Sequence, residues 1–116
     1  MMMYSYNENQ LTVKNNNIDF LSSIEKIIEI DDKLLVLVKD KSTKKIKTQG
    51  NIYAINENAE IIWEIQASTP FDGWYRPFTG IYIRDDIAIA YSPLGIEYKI
   101  NLDNGRLVDI PKQRPW

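Results

Sequence analysis

The sequence has 116 residues, a formal net charge of −2 and an apolar content of 44%, which fit one globular domain with its own core. It contains no cysteine and no histidine, which excludes disulfides, thiolate zinc sites, a thiol nucleophile and a serine–histidine pair. The slightly acidic balance argues against a dedicated nucleic-acid binder. We therefore expect a single domain over residues 1–116 with no metal or cofactor.

The first residues lack the basic start and long apolar stretch of a signal peptide. The longest aliphatic run, residues 34–38, is far shorter than the roughly 20 residues that span a bilayer. These features predict a cytoplasmic protein without a membrane segment.

The N-terminal third predicts one hairpin, with strands at residues 11–14 and 18–21 around a turn at residues 15–17. Residues 22–25 resemble a capping box, and the isoleucines that follow have helical spacing. A short helix over residues 23–28 and a strand are both compatible with this segment. The repeat described below favours the strand.

Residues 34–38 and 87–91 are apolar on both faces, which predicts two strands at the centre of their sheets. The first is followed by the basic segment 39–47, which we interpret as a solvated loop, although it could also contact phosphate or an acidic partner. The dipeptide Asn104-Gly105 predicts a hairpin with a type I′ turn, in which both central residues have positive φ.

An internal repeat carries most of the information in the chain. Residues 28–38 match residues 81–91 at a separation of 53 positions, which places Asp32 on Asp85, and residues 53–65 match residues 98–110 at a separation of 45. The matching order and turns predict that one four-stranded unit occurs twice, over about residues 24–66 and 79–110. We therefore expect an all-β protein with two antiparallel four-stranded meanders, packed as a sandwich or a half-propeller.

Residues 53–63, which begin at Tyr53 and end at Trp63, resemble the repeat of quinoprotein-like β-propellers. The resemblance implies blade-like topology only, because two units cannot close the ring of four to eight blades that a propeller needs. The cofactor and metal chemistry of that family is therefore not expected here. A homodimer that shields the sheet edges is possible.

The connector between the two units, residues 68–78, is the most distinctive segment and contains Asp72, Trp74, Tyr75 and Arg76. Tryptophan, tyrosine and arginine dominate binding hot spots, so these residues are candidates for partner binding. The alternative is that the rings of this segment close the open end of the core.

The C-terminal segment adds Arg114 and Trp116 as a second candidate anchor, with loose packing on the sheet as the alternative. The acidic pairs Asp31-Asp32 and Asp85-Asp86 are explained by turn chemistry, and catalysis by these carboxylates is improbable.

The absence of catalytic residue types favours a non-enzymatic protein-binding module. By size and composition the chain resembles the immunity proteins of bacterial toxin systems, which bind and block a cognate toxin. In that case Asp72, Asp85 and Asp86 could mimic the phosphates of a nuclease substrate. The alternatives are a self-assembling structural module and a small-ligand binder that uses the aromatic loop of residues 70–78.

Overall fold

A computed structural model describes residues 2–39, 49–67 and 77–108. All regular structure in these ranges is β-strand, and none of these residues is helical. The strands are β1 (Tyr4–Asn7), β2 (Gln10–Val13), β3 (Asn16–Asp19), β4 (Ile24–Ile30), β5 (Lys33–Val38), β6 (Gln49–Ile55), β7 (Ile61–Gln66), β8 (Gly80–Arg84), β9 (Ile87–Tyr91), β10 (Glu97–Ile100) and β11 (Leu107–Val108).

The strands form three antiparallel sheets in chain order. Sheet 1 has the order β1-β2-β3, sheet 2 the order β4-β5-β6-β7, and sheet 3 the order β8-β9-β10-β11. Sheets 2 and 3 are both four-stranded meanders, which confirms the predicted all-β fold and its two four-stranded units.

The N-terminal region differs from its prediction in two ways. The turn between β2 and β3 lies at Lys14 and Asn15, with φ of 55° at Lys14, and not at residues 15–17 as expected. An additional strand, β1, pairs with β2 and completes a three-stranded sheet.

Residues 24–30 form strand β4 and not a helix, because β4 pairs along its length with β5.

Strand β5, in the middle of sheet 2, is buried on both faces. Leu34, Val36 and Val38 of β5 pack with residues of sheet 1, whereas Leu35 and Leu37 pack with residues of sheet 3. Alternate side chains of a strand point to opposite faces, so β5 contributes to two cores at once. This confirms the prediction that β5 is a central strand.

The structural correspondence between the two meanders differs by one residue from the correspondence in the sequence alignment. Asp31 and Asp32 form the turn between β4 and β5, and Asp85 and Asp86 form the turn between β8 and β9. Asp31 therefore corresponds to Asp85, which lies 54 positions later, and the predicted separation of 53 was wrong for this hairpin. The separation of 45 for the second hairpin agrees with the strand pairing, because Val36 pairs with Tyr53 as Ala90 pairs with Tyr98.

With the corrected register, each face of sheet 2 has a corresponding face in sheet 3. The two sheets stack so that corresponding faces point in the same direction along the stack. Leu34 and Val36 face sheet 1, and their counterparts Ala88 and Ala90 face sheet 2. Leu37 faces sheet 3, and its counterpart Tyr91 lies on the exposed side of sheet 3. A shift of one residue would have reversed every one of these assignments.

Hydrogen bonds tie sheet 3 to both edges of sheet 2. At one edge the Lys26 Nζ donates to the carbonyl of Ile81 at 2.8 Å. At the other edge the indole Nε1 of Trp63 donates to the carbonyl of Leu102 at 2.8 Å, and the N–H of Gln66 donates to the carbonyl of Gly105 at 2.9 Å. These bonds orient the two sheets beyond what apolar packing requires.

Asn51 is a buried amide that joins the end of β5 to the segment before β8. Its Nδ2 donates to the carbonyls of Val38 at 2.8 Å and Phe78 at 2.9 Å, and its Oδ1 accepts the N–H of Phe78 at 2.8 Å. Phe78 is buried in the core between sheets 2 and 3. Asn51 therefore provides hydrogen-bond partners for three buried backbone groups.

The hairpin loops of the two meanders differ in how they accommodate a positive φ. The loop before β11 has a positive φ at Gly105 alone, so the type I′ turn predicted for Asn104-Gly105 was wrong, although the hairpin exists. A Cβ at Gly105 would overlap the ring of Trp63. The corresponding loop before β7 places Ala59 at a φ of 62°, where a side chain is strained.

Replacement of Asn51 by alanine should lower the free energy of unfolding by about 2–4 kcal/mol, because three buried backbone groups lose their partner. Urea denaturation measures this loss. The matched control is Asn17→Ala, which removes an exposed amide and should change stability by less than about 0.5 kcal/mol. Equal effects of the two substitutions would contradict the proposed role of Asn51.

Ala59→Gly should raise the free energy of unfolding by about 0.5–1 kcal/mol, because glycine adopts a positive φ without strain. Gly105→Ala should lower it by about 2 kcal/mol or more, because the new methyl group is both strained and in conflict with Trp63. Thermal or urea unfolding tests the pair, and a loss of stability in Ala59→Gly would contradict the assigned strain.

Candidate functional site

Most of the residues predicted from sequence as a partner-binding site lie outside the described ranges. Asp72, Trp74, Tyr75 and Arg76 belong to residues 68–76, and Arg114 and Trp116 belong to residues 109–116. Their role stays a prediction. Asp85 and Asp86 lie within the described ranges, and the candidate site begins at these two residues.

Asp85 and Asp86 form the tip of the hairpin between β8 and β9, and both are exposed. Their φ angles are 52° and 62°, as a type I′ turn requires. Aspartate tolerates this conformation better than most residues, which explains its presence here. Among the described residues no group of three acidic, histidine or cysteine side chains is placed to hold a metal ion.

The face of sheet 3 that points away from sheet 2 continues from this turn. In the strand pairing Arg84 lies beside Ile87, Tyr82 beside Ile89, and Gly80 beside Tyr91. We call this surface the outer face. Its side chains are those of Tyr82, Arg84, Ile87, Ile89, Tyr91, Glu97, Lys99 and Val108.

Three polar side chains of the outer face form one network. The hydroxyl of Tyr82 donates a hydrogen bond to Glu97 Oε2. Arg84 donates from Nη1 to the Tyr82 hydroxyl at 3.2 Å, and its Nη2 lies 3.4 Å from Glu97 Oε1. The guanidinium carbon also lies 5.7 Å from the centre of the Tyr82 ring, which is within cation–π range. Each long side chain is thus held by two others.

The network shifts the pKa values of two of its members in opposite directions. The hydrogen bond from Tyr82 lowers the pKa of Glu97 below its ordinary value of 4.5, because it stabilises the carboxylate. The same bond raises the pKa of Tyr82 above 10.0, because only the protonated phenol can donate it. Both groups are solvent-accessible, so the network orients side chains on the surface and adds little to stability.

Tyr91 lies flat on the outer face because its neighbour has no side chain. A Cβ at Gly80 would overlap the Tyr91 ring, so glycine is needed opposite this tyrosine. The rings of Tyr82 and Tyr91 are 6.1 Å apart at their centres. Beneath this cover Ile89 is only 2% exposed, although it belongs to the outer face. The result is a surface of aromatic and apolar side chains with fixed positions.

The opposite end of the three-sheet stack has a different character. The exposed face of sheet 1 consists of small polar side chains joined across strands. Gln10 donates to Asp19 at 2.9 Å, and Thr12 donates to Asn17 at 2.8 Å. No aromatic side chain of β1–β3 lies on that face. One end of the stack is therefore a polar cap, and the other carries tyrosines and an arginine.

The repeat shows which surface of sheet 2 corresponds to the outer face of sheet 3. Tyr82, Arg84 and Tyr91 occupy the positions of Ile28, Ile30 and Leu37 in sheet 2. Those three residues of sheet 2 belong to, or pack against, the core shared with sheet 3. The outer face thus corresponds in position to the sheet-packing surface of sheet 2 but carries polar side chains. Sequence reasoning missed it because the alignment was one residue out of register.

Two clefts lie elsewhere on the surface of the described residues. The larger has a volume of about 450 Å³ and lies beside β1, and the smaller, of about 100 Å³, lies between the β3–β4 connection and strands β5 and β6. The larger is lined by Met3, Tyr4, Ser5, Thr12, Lys14 and Asn15. Neither is lined by a cluster of titratable groups, so the outer face remains the better candidate site.

The described residues thus define an all-β protein of three stacked antiparallel sheets with an aromatic and charged surface at one end. The chain belongs to the family DUF7957, described as a domain of unknown function, whose model matches residues 1–112. No curated protein and no solved structure matches the chain. Within residues 2–39, 49–67 and 77–108 no helix has the length and apolar character to cross a bilayer.

Tyr82→Phe should raise the pKa of Glu97 towards 4.5, because the carboxylate loses its main hydrogen-bond donor. NMR titration of the Glu97 carboxyl carbon measures this shift, and Tyr6→Phe in sheet 1 is the control that should leave it unchanged. The hydrogen bond between Tyr82 and Glu97 is fully formed at pH values between the lowered pKa of Glu97 and the raised pKa of Tyr82. It is lost as pH falls through the lowered pKa of Glu97, and as pH rises through the raised pKa of Tyr82. An unchanged Glu97 pKa in Tyr82→Phe would contradict the network.

Proposed function

We propose that this protein is a non-enzymatic, cytosolic protein-binding module and that the outer face of sheet 3 is its docking surface. The observation that carries the proposal is the network of Tyr82, Arg84 and Glu97 beside Tyr91. Tyrosine and arginine supply large contact areas together with polar groups, and a surface that is already ordered loses little entropy on binding. The absence of histidine and cysteine from the sequence supports a binding function over a catalytic one.

Within this class we propose that the partner is a bacterial toxin and that the protein acts as its immunity protein. The support is the acidic turn of Asp85 and Asp86, which extends the outer face at its edge. Two adjacent carboxylates can pair with a basic surface that normally binds phosphates, as a toxin with nuclease activity would have. Charge complementarity of this kind increases the association rate and selects the partner.

The double substitution Asp85→Asn and Asp86→Asn tests the proposal without disturbing the turn, because asparagine also adopts positive φ readily. The repeat provides a matched control in Asp31→Asn and Asp32→Asn, which changes the equivalent turn of sheet 2 by the same charge. Binding of the purified product of the adjacent upstream gene, where that gene encodes a toxin, is measured by calorimetry at two salt concentrations.

We expect the Asp85/Asp86 variant to bind about tenfold more weakly and with less salt dependence, and the Asp31/Asp32 variant to bind like the wild type. Arg84→Ala should also weaken binding, because it removes one member of the network. Equal effects of the two double substitutions would contradict the docking surface. A chain that fails to protect cells from that toxin on co-expression would contradict the immunity function.

A further inference from the structure

One edge of strand β1 pairs with no strand of the described residues. Asn7 of β1 and Gln10 of β2 flank a two-residue turn, and the N–H of Lys14 donates to the carbonyl of Met3 at 3.1 Å. In an antiparallel strand pair, residues whose backbone N–H and C=O groups form hydrogen bonds with the neighbouring strand alternate with residues whose groups point away from it. The backbone groups of Tyr4 and Tyr6 therefore point away from β2, and no described strand lies on that side.

The repeat identifies this edge as the position at which sheets 2 and 3 each have one further strand. In the two complete meanders the chain passes from the last strand of one sheet to the first strand of the next, as from β7 to β8. Sheet 1 continues into sheet 2 in the same way, from β3 to β4, so β3 corresponds to β7 and β1 corresponds to β5. The strand that would correspond to β4 is absent from the described part of sheet 1.

The edge of β1 also lacks the usual protection against pairing. Edge strands normally carry charged residues or proline, which discourage association with another strand. Each of the other described edge strands of at least four residues has a charged residue: Asp19 in β3, Lys26 in β4, Glu64 in β7 and Arg84 in β8. The sequence of β1 is Tyr-Ser-Tyr-Asn and carries no charge. Tyr4 and Tyr6 are 37% and 48% exposed.

We propose that β1 pairs antiparallel with β1 of a second copy of this chain, across a two-fold axis at Ser5. In this register Tyr4 of each copy bonds to Tyr6 of the other, and all four outward-pointing backbone groups of each strand find partners. The tyrosines then form cross-strand aromatic pairs on one face, and the two Ser5 side chains meet on the other. The two copies of sheet 1 become one continuous six-stranded sheet.

This interface is separate from the outer face of sheet 3, because sheet 2 lies between the two surfaces. The proposal therefore does not depend on the proposed function. A dimer formed through β1 leaves both outer faces free, so failure of either proposal can be recognised independently.

Sedimentation equilibrium of the full chain over a concentration series tests the dimer. We expect the mass to rise from the 13.5 kDa of one chain towards twice that value. Ser5→Lys places like charges opposite each other at the axis and should weaken the dimer by about fivefold, as should Ser5→Glu. A mixture of the two variants should restore it. Asn17→Lys, on the same face but at the other edge of sheet 1, is the control that should leave the mass unchanged.

The absence of cysteine from the chain permits a direct test of the register. Residues that face each other without mutual hydrogen bonds in an antiparallel pair lie about 4.5 Å apart at Cα, within the range of a disulfide. Oxidation of Ser5→Cys should therefore give a covalent dimer, and oxidation of Asn17→Cys should not. A monomeric mass at every concentration would overturn the proposal, and so would a dimer that Ser5→Lys leaves intact.

Discussion

The fold depends on where the first hairpin of each four-stranded sheet turns. Both turns consist of two aspartates, and the turn fixes which alternate residues of the flanking strands face the core. A shift of one residue would send Leu34 and Val36 to the face that Leu35 and Leu37 occupy, and would expose Ala88 in place of Ile87. Asn51 reinforces the register, because it ties the end of β5 to the residue that begins the path into β8.

The same register gives the stack two different ends. Because corresponding faces of sheets 2 and 3 point the same way, the last sheet presents the face that its predecessor uses for packing. A repeat protein must either make such a terminal face polar or cover it. Here Arg84 and Glu97 supply polarity, while Tyr82 and Tyr91 keep a broad aromatic contact area above Ile89. This combination suits a surface that is stable in water and still able to bind a protein.

The architecture could be predicted from sequence, whereas the register and the candidate site could not. The apolar run of β5 and the matched turns were sufficient to predict two four-stranded meanders. The alignment failed by one residue because each turn contains two adjacent aspartates, so Asp32 matches Asp85 as well as Asp31 does; only backbone geometry distinguishes them. Strand β1 was missed because Tyr4–Asn7 is exposed throughout and only four residues long, so the alternation of its two tyrosines with polar residues is a weak signal. Tyr82 and Tyr91 were missed because the slipped alignment gave no indication that their positions face outward.

Single-cysteine labelling of β9 tests the register, and with it the outer face, most directly. The chain has no native cysteine, so Ile87→Cys and Ala88→Cys each introduce one thiol on adjacent residues of one strand. Ile87 is 38% exposed and Ala88 is 1% exposed. We expect the thiol at position 87 to react with a maleimide at the rate of an exposed cysteine, and the thiol at position 88 to react only after unfolding. Rapid labelling at position 88 with protection at position 87 would contradict the account.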